Sequence, residues 1–88
     1  MASTLYKAYL IVSAPDYNRE IFEWNPWVSV CWRDDGRQHL HHIRFTHEKF
    51  KTTEEAEKFG INAGKMWVDG RLRGLVSTYQ SVSLLTFG

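Results

Sequence analysis

The tripeptide Asp34-Asp35-Gly36 lies between two runs that read as strands, and it constrains this chain more than any other feature. Asp-Gly in that setting signals a tight hairpin, because glycine takes positive φ at no steric cost. Trp27 to Arg33 alternates, so that Val28, Val30 and Trp32 share one face and Ser29, Cys31 and Arg33 the other. Leu40 to Thr46 is the returning strand. Ile43 and Phe45 mark its apolar face, His39 and His41 lie further along that side, and Leu40, His42 and Arg44 face the other way.

Such a hairpin needs a partner layer, and Thr52 to Asp69 supplies one. Thr52 with Glu55 fits a capping box, and Phe50 just before it anchors the start of the helix. Glu54, Glu55 and Glu57 come early and Lys58 and Lys65 later, an order that complements the helix dipole. Ala56, Phe59, Gly60, Ala63, Met66 and Trp67 recur at intervals of three and four and make one apolar stripe. Gly60 and Gly64 predict close approach of the helix backbone to the sheet or to a partner. Their spacing does not fit a phosphate loop, and they lie inside the helix rather than before it. Gly70 is the expected left-handed stop.

Leu5 to Ser13 reads as a first strand ended by Pro15; its consecutive Leu10, Ile11 and Val12 suit partial cover on both faces. Ala14 to Pro26 reads as a long irregular connection that packs Tyr17, Phe22 and Trp24 onto the domain. Tyr79 to Phe87 has strand-like composition and predicts either an edge strand or a loose tail.

With 88 residues, the chain makes one domain that buries roughly 60–65% of its unfolded surface. A core of about 5–70 is expected, with 71–88 as tail or edge strand. The 43% hydrophobic content excludes a disordered chain. Eleven Lys and Arg against ten Asp and Glu leave no global basic field for nucleic acid or an anionic membrane. A single cysteine, Cys31, allows no internal disulfide and fits a reducing cytoplasm. No signal-peptide pattern opens the sequence, and its longest apolar run, Ala8 to Val12, falls far short of the ~20 residues of a spanning helix. The expected localisation is therefore cytoplasmic, with no membrane partner.

Four groups of residues bear on function. Tyr17, Phe22 and Trp24 form a surplus of aromatics suited to a protein partner, or else close over the end of the core. Lys65, Arg71 and Arg73 make the end of the helix basic, which suits phosphate contact in nucleic acid or is an ordinary solvated face. His39 and His41 point to one side of a strand and offer two nitrogens to Zn²⁺; His47, Cys31 or Asp34 would have to complete the set. The competing reading is polar strand residues near a hairpin. Cys31 would act as a nucleophile only with a base such as His41 or His42, and a strand cysteine is more often inert filler.

Tyr6-Lys7-Ala8-Tyr9-Leu10-Ile11, Trp27-Val28-Ser29-Val30, Phe50-x-Thr52-Thr53-Glu54-Glu55-Ala56 and Gly64-Lys65-x-Trp67-Val68-Asp69-Gly70 together carry a likeness. The pattern resembles a family of small bacterial proteins of unknown function with a β-β-β-α layout. It covers about residues 5–70. The chain departs from it with Ala8, where glycine is common, and with its histidine-rich third strand. The resemblance implies a fold and no activity.

The sequence thus predicts an α+β domain: a three-stranded antiparallel meander with one C-terminal helix packed on one face, and Tyr79 to Phe87 available as an extra C-terminal strand. The expected core is Val28, Val30, Trp32, Ile43, Phe45, Phe59, Ala63 and Trp67. The expected function is a small non-enzymatic interaction module that binds a protein partner or itself and needs no cofactor. Nucleic-acid binding and a histidine metal site are the alternatives.

Overall fold

The computed structural model describes residues 1–74. The expected strand or tail at Tyr79 to Phe87 lies outside the described residues. The fold is α+β. Strands β1 (Ala2–Tyr6), β2 (Tyr9–Ser13), β5 (Trp27–Asp34) and β6 (Arg37–Arg44) form an antiparallel sheet in the order β1-β2-β5-β6. Strands β3 (Asp16–Asn18) and β4 (Glu23–Asn25) form a separate two-stranded hairpin. Helix α1 (Thr53–Leu72) packs on β1, β2 and β5, and its first part also reaches β4. Among the described residues, no helix is long and apolar enough to cross a membrane.

The three-stranded meander is therefore corrected to a sheet of four strands plus a hairpin of two. The expected single strand from Leu5 to Ser13 is itself a hairpin. Lys7 and Ala8 turn the chain with φ of 51° and 70°, so Tyr6 pairs with Tyr9 and Ala2 with Ser13. A two-residue turn of this hand needs positive φ at both central positions, normally filled by Asn, Asp or Gly. Here neither residue advertises it. The expected turn at Asp35-Gly36 is present, with φ of 56° and 75°, and pairs Asp34 with Arg37. The connection from Ala14 to Pro26 is less irregular than expected, because β3 and β4 pair within it.

The core lies where the helix meets the centre of the sheet. Ile11, Val28, Val30 and Val68 are fully buried, and Tyr9 closes one end. Ala56, Gly60, Gly64 and Val68, spaced four apart, form the buried line of the helix. Of the expected stripe, Ala56 and Gly60 lie on this line, while Phe59, Ala63, Met66 and Trp67 are off centre. Phe59, Ala63 and Trp67 flank the buried line half-buried, and Met66 is exposed. Trp32, Ile43 and Phe45 also rim the core rather than fill it. The glycines explain the rotation. A Cβ on Gly64 would stand 2.5 Å from Ile11 Cγ2, and one on Gly60 would strike Ser13 Oγ. Only bare backbone fits against β2, so the small residues face inward and the large ones straddle them.

The helix begins as predicted. Thr52 Oγ1 accepts from the Glu55 amide at 3.2 Å, and its hydroxyl donates to the Glu55 carboxylate at 3.1 Å. Phe50 packs its ring 5.2 Å from Phe59 and bridges to Trp24 through backbone bonds of 2.7 and 2.9 Å. The end differs. Gly70 is a buried helical residue, and the left-handed position falls at Gly74, φ 79°. Continuing through Gly70 lets Arg71 join the aromatic cluster described below.

Candidate functional site

Tyr17, Phe22 and Trp24 belong to one hairpin. Tyr17 on β3 lies directly opposite Trp24 on β4, with ring centroids 5.0 Å apart. Trp24 is held by its bridge to Phe50 and is half-buried, so the expectation that these aromatics pack down holds for this ring. Tyr17 remains 46% exposed. Phe22 lies in the turn between the strands, 74% exposed, with φ of 57°. Ile21 beside it is exposed as well. The structure therefore gathers the three residues and leaves the outermost uncovered.

His39 and His41 do share the helix-facing side of β6, but each is engaged with a different indole. His39 stacks on Trp32 at 5.3 Å and 16°, and His41 on Trp67 at 4.5 Å and 13°. Partial desolvation of this exposed ring, followed by the nearby charges of His42 and Arg71, pushes the His41 pKa below its ordinary value. Cys31 pairs with Leu40 and so faces away from both rings. His42 shares the face of Cys31, but its Nδ1 is hydrogen-bonded to Ser29 Oγ at 2.9 Å. Among the described residues, no group of three or more His, Cys, Asp and Glu is placed to hold a metal ion.

The basic residues do not act as one patch. The Arg71 guanidinium lies 4.6 Å over the Trp32 ring and 5.7 Å from that of Trp67, and its Nε donates to the Tyr9 hydroxyl at 3.3 Å. Such a planar cation on aromatic faces completes the end of the core. Lys65 lies over the Tyr6 ring at 5.5 Å. Arg73 caps the helix and is exposed. Between them Asp69 accepts from Lys7 Nζ at 2.8 Å and from the Tyr6 hydroxyl at 3.0 Å. The Lys7 bond, then that of Tyr6, holds the Asp69 carboxyl below its usual range, and the same contact raises Lys7.

A further surface escaped the sequence reading. Leu5 pairs with Leu10, Leu10 with Cys31 and Cys31 with Leu40, so one row of side chains crosses all four strands opposite the helix. All three leucines are exposed, Leu5 most of all. The signal was the hairpin at Lys7-Ala8, which sets the register of Leu5 against Leu10.

No family model, curated protein or solved structure matches the chain.

Proposed function

We propose that the protein is a small non-enzymatic interaction module that docks a protein partner through the β3–β4 hairpin, with Phe22 as the anchor and Tyr17 and Trp24 beside it. The carrying observation is the state of Phe22. Its ring is three-quarters exposed and its backbone is in the left-handed region. Both features cost the isolated chain free energy: the left-handed backbone alone costs roughly 1–2 kcal/mol for a residue with a Cβ. An aromatic kept in that position contributes little to the fold and much to a surface that excludes water, as aromatic anchors do at interfaces.

Supporting geometry comes from the base of the hairpin. The Trp24–Phe50 bridge ties it to the start of the helix, so the projecting tip has a fixed base. Arg71 and Lys65 are spent on intramolecular aromatic contacts, which weakens the case for a phosphate-binding surface there.

The test is a pull-down from lysate of the source organism, with and without nuclease, comparing the wild-type protein with Phe22→Asn. Asparagine tolerates the left-handed backbone, so the variant keeps the turn and removes the ring. A protein retained after nuclease by wild type and lost by Phe22→Asn supports the reading. Equal capture by both refutes it. Retained nucleic acid that nuclease removes would favour the alternative at Lys65, Arg71 and Arg73.

A further inference from the structure

Because the glycines seat α1 over β2, strand β6 is left at the rim of the helix layer. It is also an edge strand of the four-stranded sheet, so its outer backbone groups have no strand neighbour among the described residues. An open edge of eight residues is a template for another extended chain. Beside that edge, on the helix side, lies an open groove of about 440 Å³. Ile43 and Phe45 wall it from the sheet, and Phe59, Ala63, Met66 and Trp67 from the helix. Asn62 is the one polar side chain on its lining. Met66 is 73% exposed on the helix wall, an unbranched side chain suited to contact with an irregular apolar partner.

The residues along this edge select an occupant. Ile43 and Phe45 face the helix, and Arg44 between them faces the other way, its guanidinium 4.8 Å over the Trp27 ring. Arg44 is exposed and makes no ion pair among the described residues. Asp16 lines the same small pocket as Arg44 without pairing with it. Arg37, the other cation of β6, has Asp34 across the register. The strand itself contains no carboxylate. An added strand has the same period of two. Its side chains level with Ile43 and Phe45 enter an apolar groove, and the one between them meets a cation. The sequence that fits is apolar, acidic, apolar. A second copy does not offer it, because β1 and β6, the edges of its four-stranded sheet, carry no Asp or Glu.

We propose that β6 and the groove beside it bind, by strand addition, an extended peptide of another protein that alternates apolar and acidic residues. The main chain of the peptide pairs with the open edge of β6. Its apolar side chains fill the groove between Ile43 and Ala63, and a carboxylate lies against Arg44. The site is separate from the β3–β4 hairpin and stands or falls independently of it.

Titration of end-capped peptides into the isotopically labelled full chain, followed by NMR, tests this. One peptide alternates valine with aspartate and a second alternates valine with lysine. Two more are the aspartate peptide N-methylated at every valine or at every aspartate. The aspartate peptide is expected to bind with a Kd of about 1 mM or tighter, shifting the amides of 37–45 and of Phe59, Ala63 and Met66. Its affinity should exceed that of the lysine peptide about tenfold. One pattern of N-methylation abolishes binding and the other spares it, because alternate amides of an added strand face its neighbour. Arg44→Glu turns the preference toward the lysine peptide, a gain that an unfolded variant cannot show. Phe22→Asn binds the aspartate peptide as wild type does, so the two surfaces fail separately. No binding of the aspartate peptide at about 1 mM overturns the proposal. So does equal binding of the two charges, an equal effect of the two methylation patterns, or a preference unchanged in Arg44→Glu. Shifts along β6 that arise without peptide as the protein is concentrated assign the edge to a second copy and also overturn it.

Discussion

Gly64 stands directly over Ile11: a Cβ at that position would lie 2.5 Å from Ile11 Cγ2. Cγ2 is a branch methyl on a stiff side chain, held in a fully buried residue at the centre of the sheet. Gly64→Ala therefore forces apart the two layers. Alanine gains about 0.8–1 kcal/mol of helix propensity over glycine. Overpacking of a tight core typically costs about 1–3 kcal/mol, and the short distance places this site toward the upper end. Net destabilisation of about 1–2 kcal/mol is expected, measured by urea unfolding. Equal or greater stability would mean that the helix is not seated on Ile11.

Ala8 offers the opposite case. Its φ of 70° places a Cβ in the left-handed region, at the second central residue of a two-residue turn. Ala8→Gly removes that strain and loses some of the gain to the greater freedom of glycine in the unfolded chain. Stabilisation of about 0.5–1 kcal/mol is expected, with the midpoint of denaturation rising and its slope unchanged. A loss of stability would argue against the Lys7-Ala8 hairpin.

These two positions show what was legible in the sequence. Asp35-Gly36 declares its turn because the residue type and the backbone conformation agree. Lys7-Ala8 makes the same kind of turn with residues that argue against it, so β1 and β2 read as one strand and the row from Leu5 to Leu40 stayed hidden. The helix and its Thr52 cap were legible from periodicity and side-chain chemistry. Its buried face was legible in part: Ala56 and Gly60 lay in the expected stripe and Gly60 and Gly64 in the expected close approach, but hydrophobic weight drew in Phe59, Met66 and Trp67 and left out Val68. At the candidate site, the surplus of rings left open whether they stay exposed or close over the core; Tyr17 and Phe22 are exposed and Trp24 is half-buried. The use of Arg71 against Trp32 was invisible, since charge alone says nothing of which face a guanidinium covers.

Ser13 is a third test of the helix–sheet contact. It is fully buried beneath Gly60, and its Oγ has no hydrogen-bond partner among the described residues. An unsatisfied buried hydroxyl costs about 1–3 kcal/mol. Ser13→Ala keeps the Cβ and removes that cost, so stability rises by about 1 kcal/mol and the melting temperature by roughly 4–8 °C for a domain of this size. A fall in stability would show that the hydroxyl is satisfied in solution.

His41 sets a pH dependence of known sign. Partial desolvation, then the charges of His42 and Arg71, lowers its pKa in the folded state below the ordinary value of 6.5. Between those two values the unfolded chain binds more protons than the folded one, so stability rises with pH. The contribution is complete above about pH 6.5 and is lost as the pH falls toward the folded value. His41→Phe keeps a ring on Trp67 and removes the titration. Comparing unfolding midpoints at about pH 7.5 and about pH 5.5, the loss on acidification should be smaller in the variant than in the wild type. Identical losses would place the pH dependence elsewhere.

Phe22→Asn separates binding from folding. If Phe22 served the core, removing its ring would cost about 3–5 kcal/mol, as for a buried phenylalanine. The ring is instead 74% exposed on a left-handed backbone that asparagine accepts more readily. Stability is therefore expected to stay within about 0.5 kcal/mol of wild type or to rise slightly. Tyr17 and Trp24 keep their 5.0 Å contact, so near-ultraviolet circular dichroism should change little. A large loss of stability would mean that Phe22 is covered within the folded chain and would remove the anchor from the proposed docking surface. Preserved stability with lost partner capture would assign to the ring a role that the fold itself does not need.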